Sequence, residues 1–270
     1  MEFYPYILQK ETNLGLFREK NEDAVLALVH PQDDRYKLLA VADGMGGKNY
    51  GDIAANYVLK EFGYWFLTQS LESFTDTEFL AQELANKAIY LNNYLIEKYG
   101  KNQLGTTLSL ALVTLDKTVL LHLGDSRIYF FKNQTIKQIT EDDSDVWLYY
   151  KYHDVSKEEL RYFSSSNIIH NCIGIAPSLC RPATFIYDND SYEDMLLVTD
   201  GVTDLVTDHK LNQIFKEYPK NKILKTIIHE AVYVDQALYI PTSLKEKRFD
   251  YYVIPVRGKD NASGVFFSKK

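Results

Sequence analysis

The spacing of apolar positions changes several times along the chain, and each change marks a new predicted element. Two short apolar runs, Ala24 to Val29 and Tyr36 to Ala42, flank a polar turn and predict a pair of antiparallel strands. From Tyr50 the apolar residues recur with helical spacing. A second helix follows, with a capping box that begins at Thr75 and an end at Gly100.

The segment 104–139 contains several apolar runs joined by very short polar turns, which predicts an antiparallel meander. Helices placed between and after blocks of strands suit two antiparallel sheets that pack face to face with the helices outside. The predicted fold class is therefore α+β, a four-layer α-β-β-α sandwich. Toward the C-terminus the pattern predicts strands at 183–186, 195–199 and 264–268, and helices at 209–216 and 223–232.

Length and charge narrow the choice of function. The 270 residues, 46% of them hydrophobic, can bury one large core, and no repeat or flexible linker interrupts them, so a single domain over 1–270 is predicted. The formal net charge of -7 argues against nucleic acid as a partner, because proteins that bind nucleic acid need a basic surface.

Nothing in the chain predicts secretion or membrane insertion. No apolar run is long enough to span a bilayer, and no signal peptide is visible. A domain of this size does not need a crosslink between Cys172 and Cys180. We therefore expect a cytoplasmic protein without a membrane partner, and we expect it to be a monomer.

Three aspartates occur where a predicted strand meets a glycine: Asp43, Asp125 and Asp200. A strand end fixes the backbone while the turn exposes the side chain, and we expect the glycine to let a ligand or metal approach closely. One Asp-Gly pair is an ordinary turn. If all three converge with Asp23 and Asp260, their combined negative charge requires cations.

The chemistry of these candidates points to one reaction class. Ligand sets made of oxygen alone select Mg²⁺ or Mn²⁺, and the histidines show no zinc-like spacing. Two such ions can bind a shared water, lower its pKa and direct the resulting hydroxide at a phosphorus atom. The residues therefore predict metal-dependent hydrolysis of a phosphate ester.

Six short motifs follow one another along the chain: Arg18-x-x-Asn21-Glu22-Asp23, Asp43-Gly44-Met45-Gly46-Gly47, Leu104-Gly105-Thr106-Thr107, Gly124-Asp125-Ser126-Arg127-Ile128-Tyr129, Leu197-Val198-Thr199-Asp200-Gly201-Val202-Thr203-Asp204 and Asp260-Asn261. In this order they resemble the motifs of the type 2C, or PPM-type, protein phosphatases. The resemblance runs over 12–267. It implies hydrolysis of phosphoserine and phosphothreonine in proteins by attack of a metal-bridging hydroxide on phosphorus.

The resemblance also implies a role for each matching residue of the metal site. Asp43 would bridge the two ions, and the carbonyl of Gly44 would complete one coordination shell. Asp200 and Asp260 would hold the other ion. Asp125, together with Asp200, would hold a weaker third metal.

Three further residues would support this centre. Glu22 and Asp23 would act as outer ligands, directly or through water. Arg18 would bind the phosphoryl group through its planar set of donors. Met45 stands at a position where animal members usually carry histidine and bacterial members often carry methionine. The resemblance is therefore to the bacterial members.

Two segments lie outside the motifs. The segment 141–176 corresponds to the flap that borders the cleft in bacterial relatives. The segment 233–259 is longer than the connection in many relatives, and a surface extension is predicted there.

Phosphorylated proteins are the expected partners, among them a serine/threonine kinase and its targets. Two alternatives remain open from the sequence. One is a catalytically silent member that binds phosphoproteins, which the complete set of aspartates opposes. The other is a dinuclear phosphatase acting on a small metabolite, because a fold alone does not decide the substrate.

Overall fold

The computed structural model describes residues 6–46, 50–163, 168–234, 240–241, 244 and 252–269. Gly47 of the second motif lies outside them. Within these residues the strands are β1 (Tyr6–Asn13), β2 (Ala24–Val29), β3 (Lys37–Ala42), β4 (Gly44–Met45), β5 (Gly105–Thr106), β6 (Leu108–Val113), β7 (Lys117–Leu123), β8 (Arg127–Lys132), β9 (Thr135–Gln138), β10 (Ala183–Asp188), β11 (Asp194–Val198) and β12 (Ala262–Lys269). The α-helices are α1 (Gly51–Thr68), α2 (Thr77–Tyr99), α3 (Asp145–Tyr152), α4 (Asp200–Thr203), α5 (Asp208–Glu217) and α6 (Ile223–Tyr233).

Two five-stranded antiparallel sheets form the middle of the molecule. Their strand orders are β1-β12-β11-β8-β9 and β10-β7-β6-β3-β2, and β4 pairs with β5 beside them. One apolar cluster joins α1 and α2 to the second sheet, another joins α5 and α6 to the first, and a third fills the space between the sheets. The predicted four-layer α-β-β-α sandwich is confirmed.

The sequence of β3 shows why this strand lies at the centre. All six of its residues are buried, and successive side chains of a strand point to opposite faces. Leu38 and Ala40 belong to the cluster under the helices, whereas Leu39 and Val41 belong to the cluster between the sheets. A strand that is covered on both faces must be apolar on both faces, as this one is.

The start of α2 differs from the prediction by one residue. Its N-cap is Asp76, whose side chain accepts a hydrogen bond from the backbone N–H of Phe79 over 3.0 Å. The hydroxyl of Thr75 instead donates to the carbonyl of Glu72, which closes the preceding 3₁₀ turn. The helix ends at Gly100 as predicted, with φ of 91° at that residue.

The single meander predicted for 104–139 is wrong. β6 and β7 belong to one sheet, whereas β8 and β9 belong to the other, so the chain crosses between sheets at the turn 124–126. Gly124 has φ of +102°, a conformation that side chains rarely adopt. The pattern of apolar runs gave the strands correctly, but a short turn does not reveal whether the next strand stays in the same sheet.

The segment 141–176, the predicted flap, contains α3 and a 3₁₀ helix, Lys157–Tyr162, which enclose an apolar cluster of their own. Leu244 belongs to this cluster, and Tyr252 packs against it. These described parts of 233–259 therefore lie against the flap, although much of that segment is outside the described residues. The division into one domain with a flap and a surface extension stays a prediction.

Among the described residues, no helix combines the length and the apolar character that crossing a membrane requires.

Candidate active site

The candidate aspartates lie at the ends of strands that meet at one edge of the sandwich. Asp43 follows β3, Asp125 follows β7 and Asp200 follows β11. Asp23 precedes β2 and Asp260 precedes β12. Neighbouring strands are antiparallel, so the end of one strand lies beside the start of the next. All five predicted aspartates are thereby brought to one edge.

The electrostatics of these carboxyl groups are coupled. Burial raises the pKa of Asp43, and the charges of Asp200 and Asp23 raise it further. Burial, followed by the charge of Asp260, raises the pKa of Asp200 to about 6. Burial and the charge of Asp200 also raise the pKa of Asp125. So much negative charge in one place favours the binding of cations.

Asp204 is a further member of the cluster that sequence reasoning did not select. Burial and the charge of Asp200 raise its pKa to about 7. Its backbone N–H donates to the carbonyl of Asp200 over 2.8 Å, one helical turn away. The sequence contained a signal for this residue. Asp204 follows Asp200 by four residues, and in a helical turn that spacing places the two carboxylates on the same side.

Two threonines fix the backbone of Asp43. The N–H of Asp43 donates to the hydroxyl oxygen of Thr107, and the N–H of Thr107 donates to the carbonyl of Asp43, both over 2.9 Å. The hydroxyl of Thr106 donates to the same carbonyl over 2.9 Å. Thr107 also shares a hydrogen bond of 2.8 Å with the hydroxyl of Ser126, on the crossing between sheets. These residues therefore support the site from behind.

Two of the glycines next to the aspartates allow chain segments to pack closely. A Cβ atom on Gly44 would lie 2.3 Å from the backbone of Gly51, and a Cβ atom on Gly201 would lie 2.0 Å from the carbonyl oxygen of Asn261. The space that these glycines leave is therefore filled by the protein backbone. Close packing of chain segments uses that room, and the approach of a ligand or metal to these glycines stays a prediction.

The two predicted outer ligands are held firmly by the protein. One carboxylate oxygen of Glu22 accepts from the N–H of Gly51 over 2.9 Å, at the start of α1, where a negative charge is favoured. The carboxylate of Asp23 accepts from the hydroxyl of Thr199 over 2.9 Å, and burial raises the pKa of Asp23. Both side chains are thereby positioned at the edge of the cluster.

Arg18 lies at the rim of the cluster and binds one of its members. Its guanidinium donates to Oδ2 of Asp260 over 2.6 Å, and the N–H of Asn261 donates to Oδ1 over 2.8 Å. The Arg18 side chain remains 44% exposed. The predicted phosphate ligand and one predicted metal ligand therefore contact each other.

The donor set fits hard divalent cations. Oδ1 of Asp125 and Oδ1 of Asp200 are buried, and neither has a hydrogen-bond partner in the described part of the chain. Carboxylate oxygens are the ligands that Mg²⁺ and Mn²⁺ prefer. Within the described ranges, no three His, Cys, Asp or Glu side chains are already grouped as a complete metal site. As a metal ligand through Oδ2, Asp260 would exchange its contact with Arg18 for an ion.

Arg127 connects β8 to the flap through an ion pair. It forms a two-pronged ion pair with Asp142, with distances of 2.9 Å from Nε to Oδ1 and 2.6 Å from Nη2 to Oδ2. The pair joins β8 to the first residues of the flap. The turn that carries Asp125 is fixed from this side.

The two packed sheets and the acidic cluster at their common edge define a class of hydrolases that bind divalent cations through oxygen ligands. A family model described as protein phosphatase 2C matches residues 18–230 of the chain. The chain belongs to the protein phosphatase 2C family, and the resemblance of its motifs is confirmed.

Named relatives agree with this assignment. The chain is 31% identical over 209 residues to the serine/threonine phosphatase stp of Listeria welshimeri, covering 76% of this chain and 81% of that protein. It is similar in structure to the serine/threonine phosphatase Stp1 from Staphylococcus aureus, with a TM-score of 0.76, 27% identity and coverage of 97% and 94% of the two chains.

A more distant structure shares the fold. It is the catalytic domain of the serine threonine protein phosphatase PstP in complex with two manganese ions. Its TM-score is 0.71 at 22% identity, and the match covers 97% of each chain.

Proposed function

We propose that the chain is a metal-dependent phosphatase that hydrolyses phosphoserine and phosphothreonine esters in proteins. It belongs to the protein phosphatase 2C family, its cofactor is Mg²⁺ or Mn²⁺, and its substrates are phosphoproteins. The observation that carries this function is the convergence of buried and half-buried aspartates at one edge of the sandwich, with Arg18 at the rim.

Asp43, Asp200 and Asp260, with the carbonyl of Gly44, would hold two ions. Asp125, with Asp200, would hold a weaker third ion. Two bound ions supply an activated water for in-line attack on phosphorus and stabilise the charge of the leaving oxygen. Support for these roles comes from the positions of the carboxylates at strand ends and from one buried oxygen each of Asp125 and Asp200 that has no hydrogen-bond partner among the described residues.

The remaining residues orient the substrate and the ligands. Arg18 would leave Asp260 and bind two phosphoryl oxygens, for which a planar guanidinium is well suited. Glu22 and Asp23 would keep the edge of the cluster negatively charged and accept hydrogen bonds from water in the site. Thr107 would keep the backbone of Asp43 in one position through the reaction.

The biological setting proposed here is that of a monomer in the cytoplasm that opposes a serine/threonine kinase. The relative from Listeria welshimeri is itself named a serine/threonine phosphatase, which supports phosphorylated proteins as substrates and a kinase as the opposing enzyme.

One assay tests the function. A phosphothreonine peptide is incubated with the protein and Mn²⁺, and released phosphate is followed before and after addition of a chelator. We expect release that stops with the chelator and resumes with excess Mn²⁺. A protein that binds the peptide but releases no phosphate would be the silent alternative, and a protein that cleaves only small phosphate esters would be the metabolite phosphatase.

A further inference from the structure

A groove with a volume of about 350 Å³ lies directly beside the acidic cluster. Arg18, Arg161, Asp204 and Asp260 are among the residues that line it. Its other wall is the segment 253–256, Val-Ile-Pro-Val, with Lys259 beyond it. The groove therefore begins at the residues that we assign to the phosphoryl group and the metal, and it continues along an aliphatic segment.

The aliphatic wall is exposed. The N–H of Val253 donates to the carbonyl of Tyr162 over 2.7 Å, which fixes the segment to the flap. The exposed fractions of Val253, Ile254 and Val256 are 43%, 50% and 50%. Single exposed aliphatic residues are ordinary, but a continuous row beside a catalytic cleft is typical of a binding surface.

The loop that carries Arg18 lies next to the loop that contains 253–256 and has exposed apolar residues of its own. Leu16 and Phe17 immediately precede Arg18, and they are 51% and 65% exposed. The N–H of Leu16 donates to the carbonyl of Gly258 over 2.7 Å, which holds the two loops together. The proposed phosphate ligand is thus flanked by apolar side chains on both loops.

We propose that the segment 253–256 binds the polypeptide next to the phosphorylated residue, and that the enzyme prefers substrates with aliphatic side chains there. This proposal rests on the proposed function. With the phosphoryl group at Arg18, the neighbouring residues of a polypeptide must leave the cleft along its walls. An extended chain advances about 3.3 Å per residue, so the residues next to the phosphorylated one fall within this groove.

The chemistry of the groove favours a polypeptide over other occupants. A small phosphorylated metabolite would fill the end near Arg18 and leave the aliphatic wall in water. An anionic lipid surface would be repelled by Asp204 and Asp260 and by the net charge of -7. Lys259 is exposed and forms no ion pair within the described residues, so it can meet the negative charge that a phosphopeptide brings.

The test compares three substrates: a phosphothreonine peptide with Ile and Val on both sides of the phosphorylated residue, the same peptide with Ser and Gln there, and p-nitrophenyl phosphate. The wild-type protein with Mn²⁺ should prefer the aliphatic peptide by about tenfold in kcat/KM, as expected when a hydrophobic contact is gained. Ile254→Asp should abolish this preference, mainly through KM. Hydrolysis of p-nitrophenyl phosphate should remain within about twofold of wild type.

Control variants separate the proposal from general damage. Leu115→Asp makes the same kind of change at a residue that is 44% exposed, in the β6–β7 turn at the opposite edge of the sheet, and it should retain the preference. Ile254→Val should also retain it. If Ile254→Asp unfolds the protein, Val256→Ser replaces it as the test.

Two results would overturn the proposal. A wild-type protein that hydrolyses both peptides equally well has no aliphatic preference. An Ile254→Asp variant that is folded and still prefers the aliphatic peptide places the preference elsewhere. Failure of the proposed function looks different, because the wild-type protein would then cleave neither peptide, whether or not it cleaves p-nitrophenyl phosphate.

Discussion

The guanidinium of Arg18 donates a hydrogen bond to the carboxylate of Asp260 over 2.6 Å. The two side chains are 44% and 31% exposed, and ion pairs that are this accessible to water contribute only about 0–1 kcal/mol. The pair can therefore open at low cost. This matters because, in the proposed function, Asp260 would hold a metal ion and Arg18 would bind the phosphoryl group.

Replacing Arg18 should affect phosphate more than metal. We expect Arg18→Ala to raise KM and the inhibition constant of inorganic phosphate by roughly tenfold, because a charge-assisted contact is lost. The affinity for Mn²⁺ should stay the same or rise, because Asp260 is released. Arg18→Lys should recover only part of the affinity, since an ammonium cannot bind two oxygens in the same way. Calorimetry that finds unchanged phosphate affinity in Arg18→Ala would remove Arg18 from this role.

The hydroxyl of Thr107 should matter for both folding and catalysis. Thr107→Val removes the acceptor for the N–H of Asp43 and the partner of Ser126, which should lower the free energy of unfolding by about 1–3 kcal/mol. Because Asp43 then loses its fixed position, kcat should fall more than KM rises. Chemical denaturation and steady-state kinetics measure the two effects.

Thr107→Ser is the matched control, because it keeps the hydroxyl, and it should stay close to wild type in both measurements. Equal behaviour of the Val and Ser variants would show that the hydrogen bonds of Thr107 do not position Asp43.

Asp125 should influence large substrates more than small ones. Asp125 lines a small cavity of about 30 Å³ together with Asp204 and with Lys157 and Arg161 of the flap, and we expect the charge at Asp125 to influence the position of the flap. Asp125→Asn should therefore reduce phosphopeptide hydrolysis more than hydrolysis of a small aryl phosphate. A parallel loss on both substrates, in a folded variant, would place Asp125 in the central catalytic machinery.

Much of the fold could be predicted because its apolar pattern is strong. The apolar run of β3 and the amphipathic pattern of α2 can each be recognised from the residues of that element alone. The crossing at Gly124 could not be predicted, because it depends on which sheet offers a partner for β8. β1 was missed because five of its eight residues are intermediate in exposure, so its apolar alternation is weak.

For the site, the sequence predicted the aspartates at strand ends but not their contacts. Asp204 was overlooked because it follows a stronger match in the same motif. The contact between Arg18 and Asp260 joins residues 242 positions apart, and no local pattern encodes such a pairing.

The measurement that tests the central claim most directly is the Mn²⁺-dependent turnover of a phosphothreonine peptide by Asp43→Asn. The variant loses the carboxylate proposed to bridge two ions, so turnover should fall by roughly a thousandfold or more. The Tm without metal should stay the same or rise, because one charge is removed from a repulsive cluster. Near-normal Mn²⁺-dependent turnover in this variant would contradict the assignment of Asp43 and, with it, the proposed metal centre.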